Sequence, residues 1–108
     1  MKGYRVQYAA DAMEDLRSIY HYIAHELQAP QATQGQVDRI RKMIRSLENA
    51  PTRFLAVNWE PWHKMGMRKV PVDRYMVFYL VDEPQETVTV VRIFYCGRNI
   101  REIIREIL

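Results

Sequence analysis

The chain has 108 residues, enough for one domain with a single packed core, and we expect residues 1–108 to form that domain. Apolar residues make up 48% and charged residues 27%, as in an ordinary water-soluble protein. Its longest apolar run falls far short of the roughly 18 residues that a membrane helix needs, so we expect no membrane partner. Cys96 is the single cysteine, so an internal disulfide and a thiolate metal site are both excluded.

Compartment and charge narrow the class of function further. The N-terminal residues lack the apolar core of a signal peptide and the single cysteine fits a reducing compartment, so we expect a cytoplasmic protein. The net charge of +3 is mild, but arginine outnumbers lysine twelve to four. Arginine forms forked, planar contacts with phosphate and carboxylate groups. The arginine excess therefore indicates nucleic acid or an acidic protein as a partner. The alternative interpretation is a basic surface that contacts only solvent.

The first half of the chain predicts one strand and two helices. Residues 3–8 alternate Tyr and Val with Arg and Gln, which is the period of a half-buried strand. Residues 9–27 place apolar side chains three and four positions apart, which is typical of an amphipathic helix. Pro30 suits the first turn of a second helix over residues 31–50, and the short break between the helices predicts an antiparallel hairpin.

Two features of these helices have both a functional and a structural interpretation. His21 and His25 are one helical turn apart, so both rings could reach one metal ion. No third ligand is obvious nearby, so two surface histidines are the favoured interpretation, and we expect neither a metal nor a cofactor. Arg39, Lys42 and Arg45 form a basic stripe on the second helix. Its favoured meaning is the solvent side of an amphipathic helix, with a phosphate-facing stripe as the alternative.

The connection over residues 51–66 holds both tryptophans, Trp59 and Trp62. We expect a long loop here, or a short extra strand within residues 54–57. Two large aromatic side chains in a connection either close one end of the core or form an exposed contact surface. Closure of the core is the favoured interpretation.

The stretch over residues 67–95 predicts three consecutive strands. Asp73 and Arg74 suit the tip of the first hairpin. The nearly all-apolar run 75–81 predicts a central strand that is covered on both faces. The run 87–95 is rich in β-branched residues and predicts the last strand.

The last residues predict a short closing helix. Asn99 and Glu102 form a capping box in front of it. Residues 100–108 carry five large aliphatic side chains in nine positions, too many for a free tail. We therefore expect this helix to dock on its own core or to cover a partner, and a homodimer is one such arrangement when no other partner is bound.

In this order of elements, the sequence resembles the toxins of the RelE/ParE superfamily. RVQYAADAMEDLRSIYHYI is similar to the family's opening strand and amphipathic helix. GMRKVPVDRYMVFYLVD is similar to its Gly-x-Arg-Lys-x hairpin and its Tyr-x-x-x-Tyr central strand. VTVVRIFYCGRNIREII is similar to its closing strand and basic exit, so the resemblance covers almost the whole chain in the family's order.

The resemblance implies an α+β fold: an N-terminal strand, a two-helix antiparallel hairpin packed on a twisted antiparallel sheet of about four strands, and a short C-terminal helix. It also implies the growth-inhibiting toxin of a type II toxin–antitoxin (plasmid stabilisation) module, neutralised by a cognate antitoxin. RelE-like members cut mRNA on the ribosome, and ParE-like members inhibit DNA gyrase. The alternative is a non-catalytic relative that mainly binds its antitoxin and takes part in autoregulation.

If the chain is an enzyme, the resemblance implies a metal-independent, ribosome-dependent mRNA endoribonuclease, or mRNA interferase. Such cleavage needs a base, an acid and cations around one phosphate. Lys69 and Arg98 match basic positions of RelE-like enzymes. Other candidate catalytic groups are Arg68, His63 and Tyr95. Apolar residues occupy the remaining positions that the resemblance singles out: Met67, Met76, Ile103 and Ile104.

A binding protein would use the same basic run. In this interpretation four cations form one cluster at the mouth of a shallow cavity: Arg68, Lys69, Arg74 and Arg98. Trp59 and Trp62 would lie beside the cluster as aromatic anchors for the target or the antitoxin. The structural alternative for Arg68 is an ion pair with a carboxylate such as Asp82 or Glu83, which would brace the hairpin.

Overall fold

The structure is a computed structural model and describes residues 3–26 and 30–96. Its elements, in chain order, are β1 (Arg5–Tyr8), α1 (Ala10–His21), a π-helical turn (Tyr22–Glu26), α2 (Pro30–Ser46), a 3-10 turn (Pro51–Arg53), β2 (Leu55–Ala56), α3 (Trp62–Met65), β3 (Arg68–Val72), β4 (Tyr75–Asp82) and β5 (Thr87–Tyr95). Across these ranges every helix is too short or too polar to cross a membrane. Arg98 and the predicted closing helix, with its capping residues Asn99 and Glu102, lie outside the described residues.

The five strands form one mixed sheet in the order β1-β5-β4-β3-β2. β1 runs parallel to β5, and all the other neighbours are antiparallel. The expectation of about four antiparallel strands is therefore wrong in the number of strands and in the direction of β1. A tight turn marks an antiparallel pair in a sequence, whereas a parallel pair is joined by a long connection that leaves no local signal.

The β3–β4 hairpin and the last two strands lie where the sequence places them. Asp73 and Arg74 form the tip, and Asp73 adopts a left-handed backbone conformation with a φ of 55°, which aspartate tolerates better than most residues. β4 lies in the middle of the sheet and is mostly buried, as its apolar run predicts. The extra strand expected within residues 54–57 is present as β2, which pairs with the start of β3.

Both long helices are shorter than the sequence pattern predicts. α1 ends at His21 and continues as the π-helical turn. α2 begins at Pro30 and ends at Ser46, four residues before the predicted end. The residue preceding a proline is disfavoured in the right-handed helical region. Ala50, before Pro51, has a φ of 46° and a ψ of 58°, so the chain leaves the helix ahead of the proline.

α1 and α2 pack against one face of the sheet and enclose the larger core. Their apolar side chains meet alternate residues of the central strands, among them Val77 and Tyr79 of β4 and Val90 of β5. Ile40 of α2 and Leu47, the residue after its last turn, are fully buried. Burial of each such side chain contributes about 2 kcal/mol, so this contact dominates the stability of the helical hairpin. We call this side of the sheet the helix face.

The opposite side of the sheet, which we call the α3 face, carries a second and smaller core. Trp62 is 4% exposed and packs on Phe78 of β4, with the ring centroids 4.8 Å apart. Three more buried side chains complete the cluster: Val57, Met67 and Phe94. Closure of the core, the favoured interpretation of the tryptophans, is confirmed for Trp62. Its expected role as a binding anchor is wrong for the folded chain, because the ring is buried.

A partly buried ion pair fastens α1 to the outer edge of β5. β1 pairs only with Thr87–Val90, so among the described residues no strand continues along this edge. There Asp15 accepts a hydrogen bond from the backbone N–H of Ile93 at 2.9 Å. It also accepts hydrogen bonds from Nε and Nη2 of Arg92, at 2.8 and 3.0 Å, which hold the pKa of Arg92 above its usual range. The Asp15 carboxylate therefore accepts a backbone hydrogen bond that a neighbouring strand would otherwise accept.

The buried phenol of Tyr79 makes the stability of the domain depend on alkaline pH. Its hydroxyl donates a 2.6 Å hydrogen bond to the carbonyl of Pro51, and burial raises its pKa to about 12. An unfolded tyrosine ionises near pH 10. Because the folded-state pKa is the higher one, this contribution to stability is complete below about pH 10 and is lost as the pH rises towards 12.

We expect Tyr79→Phe to lower the free energy of unfolding by about 1 kcal/mol at neutral pH, the value of one hydrogen bond. The same change should flatten the decline of stability between about pH 10 and 12, because the buried ionisable group is gone. Urea denaturation at several alkaline pH values measures both effects. Tyr20→Phe, at an exposed position, is the control and should keep the wild-type decline. A Tyr79→Phe variant with an unchanged decline would contradict the assignment.

Candidate functional site

Arg68 and Lys69 project from opposite faces of the sheet. They are consecutive residues of β3, and consecutive side chains of a strand point to opposite sides. Arg68 is level with Tyr79, which belongs to the core on the helix face. Lys69 is level with Phe78, which belongs to the core on the α3 face. Because the two residues are adjacent in a predicted strand, the sequence alone already indicates that they face opposite ways.

Arg68 binds the backbone of the preceding connection rather than a carboxylate. Its Nη1 donates a 2.7 Å hydrogen bond to the carbonyl of Phe54, in a partly buried position. The predicted ion pair of Arg68 with Asp82 or Glu83 is therefore wrong. Asp82 instead accepts a hydrogen bond from the backbone N–H of Gln85, within the β4–β5 turn. The role of Arg68 in the fold is to tie β3 to the chain just before β2.

Lys69 lies against an aromatic ring on the α3 face. Its Nζ is 5.0 Å from the centroid of the Trp59 ring, a cation–π geometry that contributes about 0.5–1 kcal/mol at such a half-exposed place. The Trp59 ring in turn meets Phe78 edge-on, with centroids 6.2 Å apart. Trp59 and Lys69 thus form a half-buried platform above the smaller core.

The tip of the β3–β4 hairpin is tied to α2, and Arg74 stands exposed beside that contact. Asp73 accepts hydrogen bonds from Nε of Arg39 at 2.6 Å and from Nε2 of Gln36 at 3.0 Å. These two donors, Arg39 foremost, hold the pKa of Asp73 below its usual range. The position of the tip relative to α2 is thereby defined.

Three tyrosines meet near the hairpin tip. Tyr95 stands opposite Tyr75 in the sheet, with the rings edge-to-face and 5.6 Å apart. Burial raises the pKa of Tyr75, and the neighbouring phenols of Tyr95 and Tyr22 raise it further. Tyr75 is buried, while Tyr95 and Tyr22 are 40% and 54% exposed. We call the exposed group of Tyr22, Arg74 and Tyr95 the hairpin-tip surface.

His63 lies on α3, away from the tyrosines. Its ring is exposed, and Nδ1 donates a 3.0 Å hydrogen bond to the carbonyl of Val57, which leaves Nε2 for other partners. His63 and Lys69 lie on the α3 face, whereas Tyr95 lies on the helix face near the hairpin tip. Within residues 3–26 and 30–96, the candidate base, acid and cations therefore do not meet around one point.

The predicted single cluster of cations is not formed by the members that the structure describes. Arg68, Lys69 and Arg74 occupy the helix face, the α3 face and the hairpin tip, and Arg98 is outside the described residues. A shallow depression of about 530 Å³ is lined by Leu80, Met65 and the β4–β5 turn, and by none of these three cations. Their separation follows from strand alternation and from the length of β3.

Two positions that carry cations in RelE-like enzymes are part of the smaller core here. Met67 is fully buried, and Met76 packs against the same cluster from β4. Apolar thioether side chains cannot stabilise a developing phosphorane charge. Met67 and Met76 therefore stabilise the smaller core by packing and do not supply charge for catalysis.

His21 and His25 form a stacked pair on the surface. Their ring centroids are 5.4 Å apart and the rings are inclined by 19°. In the part of the chain that the structure describes, no three His, Cys, Asp or Glu side chains are grouped closely enough to hold a metal ion. The two histidines lie where the favoured interpretation places them, as exposed residues of α1 and of the π-helical turn.

The class of the protein is decided by a family-level match. The sequence pattern of the ParE toxin of the type II toxin–antitoxin system parDE matches residues 6–100. This chain belongs to the ParE toxin family. The matched range includes both helices of the hairpin and every strand of the sheet except the first residue of β1. No curated protein sequence matches this ParE-family chain.

Solved ParE and RelE structures share the fold of this ParE-family chain. The chromosomal ParDE system of P. aeruginosa matches with a TM-score of 0.67 and 20% identity over 85% of this chain and 95% of the other. The RelBE2 toxin–antitoxin complex of Mycobacterium tuberculosis matches with a TM-score of 0.62 and 19% identity, over 88% of this chain and 93% of the other. A mutant of E. coli RelE in the free state matches with a TM-score of 0.62 and 15% identity, over 98% of this chain and 99% of the other. The predicted RelE/ParE-like α+β fold is confirmed.

Two residues of this ParE-family chain were not singled out as site or contact residues by the sequence. Asp15 looks like an ordinary acidic residue near the start of a helix, and its partner Arg92 is 77 positions away. Tyr22 falls within the predicted first helix, whereas it lies in the π-helical turn with an exposed ring. Neither role can be recognised from the neighbouring residues in the sequence, because both depend on where β5 ends in the fold.

Proposed function

We propose that this protein is the toxin of a type II toxin–antitoxin module and that it acts by binding a protein target, DNA gyrase, without cutting RNA. The match to the ParE toxin family over residues 6–100 supports the class of target, since ParE-like toxins inhibit gyrase. The observation that carries the proposal is the divergence of the candidate catalytic groups onto different faces of the sheet.

RNA cleavage through the 2′-hydroxyl needs a base, an acid and cations within reach of one phosphate. Arg68 is engaged with the Phe54 carbonyl and faces the helices, so it cannot share a phosphate with Lys69 on the other face. Met67 and Met76 fill the smaller core where an enzyme would place charge. These contacts favour recognition of a protein over catalysis.

The hairpin-tip surface has the composition of a protein-binding site. Tyrosine and arginine are enriched among the residues that contribute most to protein interfaces. Tyr22, Arg74 and Tyr95 are exposed, and two contacts hold the base of this surface: Asp73 to α2, and Tyr75 beneath the phenols. A preorganised aromatic group loses little conformational entropy on binding. We assign target binding to this surface.

An antitoxin is the second expected partner. The ParDE and RelBE2 structures that share the fold come from toxin–antitoxin systems. A cognate antitoxin should bind this chain tightly and release the target from inhibition. The apolar final residues make self-association the alternative when no antitoxin is present.

The decisive experiment measures supercoiling by purified DNA gyrase in the presence of the full chain. We expect inhibition that the antitoxin reverses, while mRNA from induced cells stays uncut in primer extension. Cuts at A-site codons with unaffected gyrase would identify an mRNA endonuclease and overturn the proposal. Absence of both effects, with retained antitoxin binding, would identify a non-catalytic relative that serves autoregulation.

Variants of the hairpin-tip surface test the assignment of the site. Arg74→Ala combined with Tyr95→Ala should weaken gyrase inhibition at least about tenfold, the usual loss for two anchor residues. Lys64→Ala combined with Met65→Ala, both exposed on α3, is the matched control and should inhibit like the wild type. Equal inhibition by the two double variants would move the target site away from the hairpin tip.

A further inference from the structure

The exposed side of α2 carries cations that no described carboxylate neutralises. Arg41, Lys42 and Arg45 are exposed and lie within about one helical turn, so they emerge from one side of the helix. We call them the α2 basic face. The ion pairs found within residues 3–26 and 30–96 involve other cations: Arg17, Arg39 and Arg92. Asp38, one turn earlier on α2, accepts a hydrogen bond from Gln34 instead.

Tyr8 of β1 lies within electrostatic range of the α2 basic face. The backbone N–H of Tyr4 donates to the carbonyl of Glu48 at 2.8 Å, which places the start of β1 level with the end of α2. Tyr8 lies four residues further along β1. Tyr8 is half-buried; burial raises its pKa, and Arg41 and Arg45 lower it, as expected of close neighbours.

We propose that the α2 basic face binds the phosphate backbone of duplex DNA. Two guanidinium groups and an ammonium group that have no carboxylate partner among the described residues can donate to phosphate oxygens, and the nearby Tyr8 hydroxyl is a neutral donor. Such contacts position a protein on DNA without reading the bases.

The chemistry of the face favours a duplex over a single strand. A single-stranded nucleic acid is held by bases that stack on exposed aromatic rings. The α2 basic face offers cations and one half-buried ring, Tyr8, which leaves the phosphates as its point of contact. This face does not depend on the hairpin-tip surface or on the identity of the protein target.

The test is a fluorescence-anisotropy titration of a short labelled DNA duplex of arbitrary sequence with the full chain, at salt from about 50 to 200 mM. We expect the logarithm of the binding constant to fall with the logarithm of salt with a slope of about −2.7, the value for three phosphates. The triple variant R41Q/K42Q/R45Q should bind at least about tenfold more weakly and lose most of that slope. Tyr8→Phe should weaken binding about threefold with the slope unchanged.

A second triple variant, R5Q/R17Q/K64Q, removes the same charge from exposed positions on β1, α1 and α3. It should bind like the wild type, and circular dichroism should show both triple variants folded. Equal weakening by the two variants would overturn the local site in favour of general charge. No salt-dependent binding by the wild type would overturn the proposal, as would tighter binding of duplex RNA or polyglutamate.

Gyrase inhibition and DNA binding by the wild-type chain are measured in parallel, so that the two proposals fail separately. A wild-type chain that inhibits gyrase but does not bind DNA would overturn only the α2 basic face. A wild-type chain that binds DNA but does not inhibit gyrase would overturn only the proposed target.

Discussion

Replacing Asp15 by alanine will lower the free energy of unfolding by about 3 kcal/mol or more. The carboxylate accepts three hydrogen bonds, two from Arg92 and one from the N–H of Ile93, and both charged side chains are about 15% exposed. Its removal leaves a partly buried guanidinium and a strand-edge N–H without their acceptor. Denaturant unfolding measures the loss, and the melting temperature should fall by roughly 10 °C.

Glu14→Ala is the matched control for this result. Glu14 is the neighbouring acid on α1 and pairs with Arg17, but both side chains are more than half exposed, so the change should cost no more than about 0.5 kcal/mol. Asp15→Leu combined with Arg92→Met should recover part of the stability, because no unpaired charge is left inside. If Asp15→Ala and Glu14→Ala destabilise equally, the fastening of α1 to β5 lies elsewhere.

Trp62→Ala will have an effect of similar size, about 4 kcal/mol, because it empties the centre of the smaller core. The ring is 4% exposed and packs on Phe78, and its loss leaves a cavity between α3 and the sheet. Measurement of the free energy of unfolding decides between closure of the core and a contact surface.

Leu55→Ala provides the comparison for the tryptophan. Leu55 belongs to the same connection and is 73% exposed, so its truncation should change stability by less than about 0.5 kcal/mol. A Trp62→Ala chain that stays as stable as the Leu55→Ala chain, but binds a partner less well, would restore the contact-surface interpretation.

The predictions for Asp15 and Trp62 both concern contacts that cover the sheet. Helices cover one face, and the residues of the α3 face need the β2–α3 connection to shield them from water. Asp15 satisfies one backbone N–H, that of Ile93, on the part of the β5 edge that β1 does not reach. The cations at the sheet are held apart by the alternation of side chains along β3, which is why recognition rather than cleavage is the proposed activity.

Much of the candidate site was predictable in its residues but not in its arrangement. Arg74, Tyr95 and Lys69 were identified from a basic run and a closing strand, and each is at least partly accessible. The convergence of Arg68, Lys69 and Arg74 was predicted wrongly, because Arg68 and Lys69, as neighbours in a strand, had to face opposite ways. The burial of Trp62 was predicted correctly from its size and its position in a connection.

The sequence by itself determined the local elements of this protein: both amphipathic helices, the Asp73–Arg74 tip, and the central and last strands over 75–81 and 87–95. Periodicity and turn chemistry are short-range properties, so they can be read without knowing the fold. Only the tertiary structure decided that β1 joins β5 in parallel and that Asp15 meets Ile93. Those contacts link residues about 80 positions apart, and burial of the whole chain selects them.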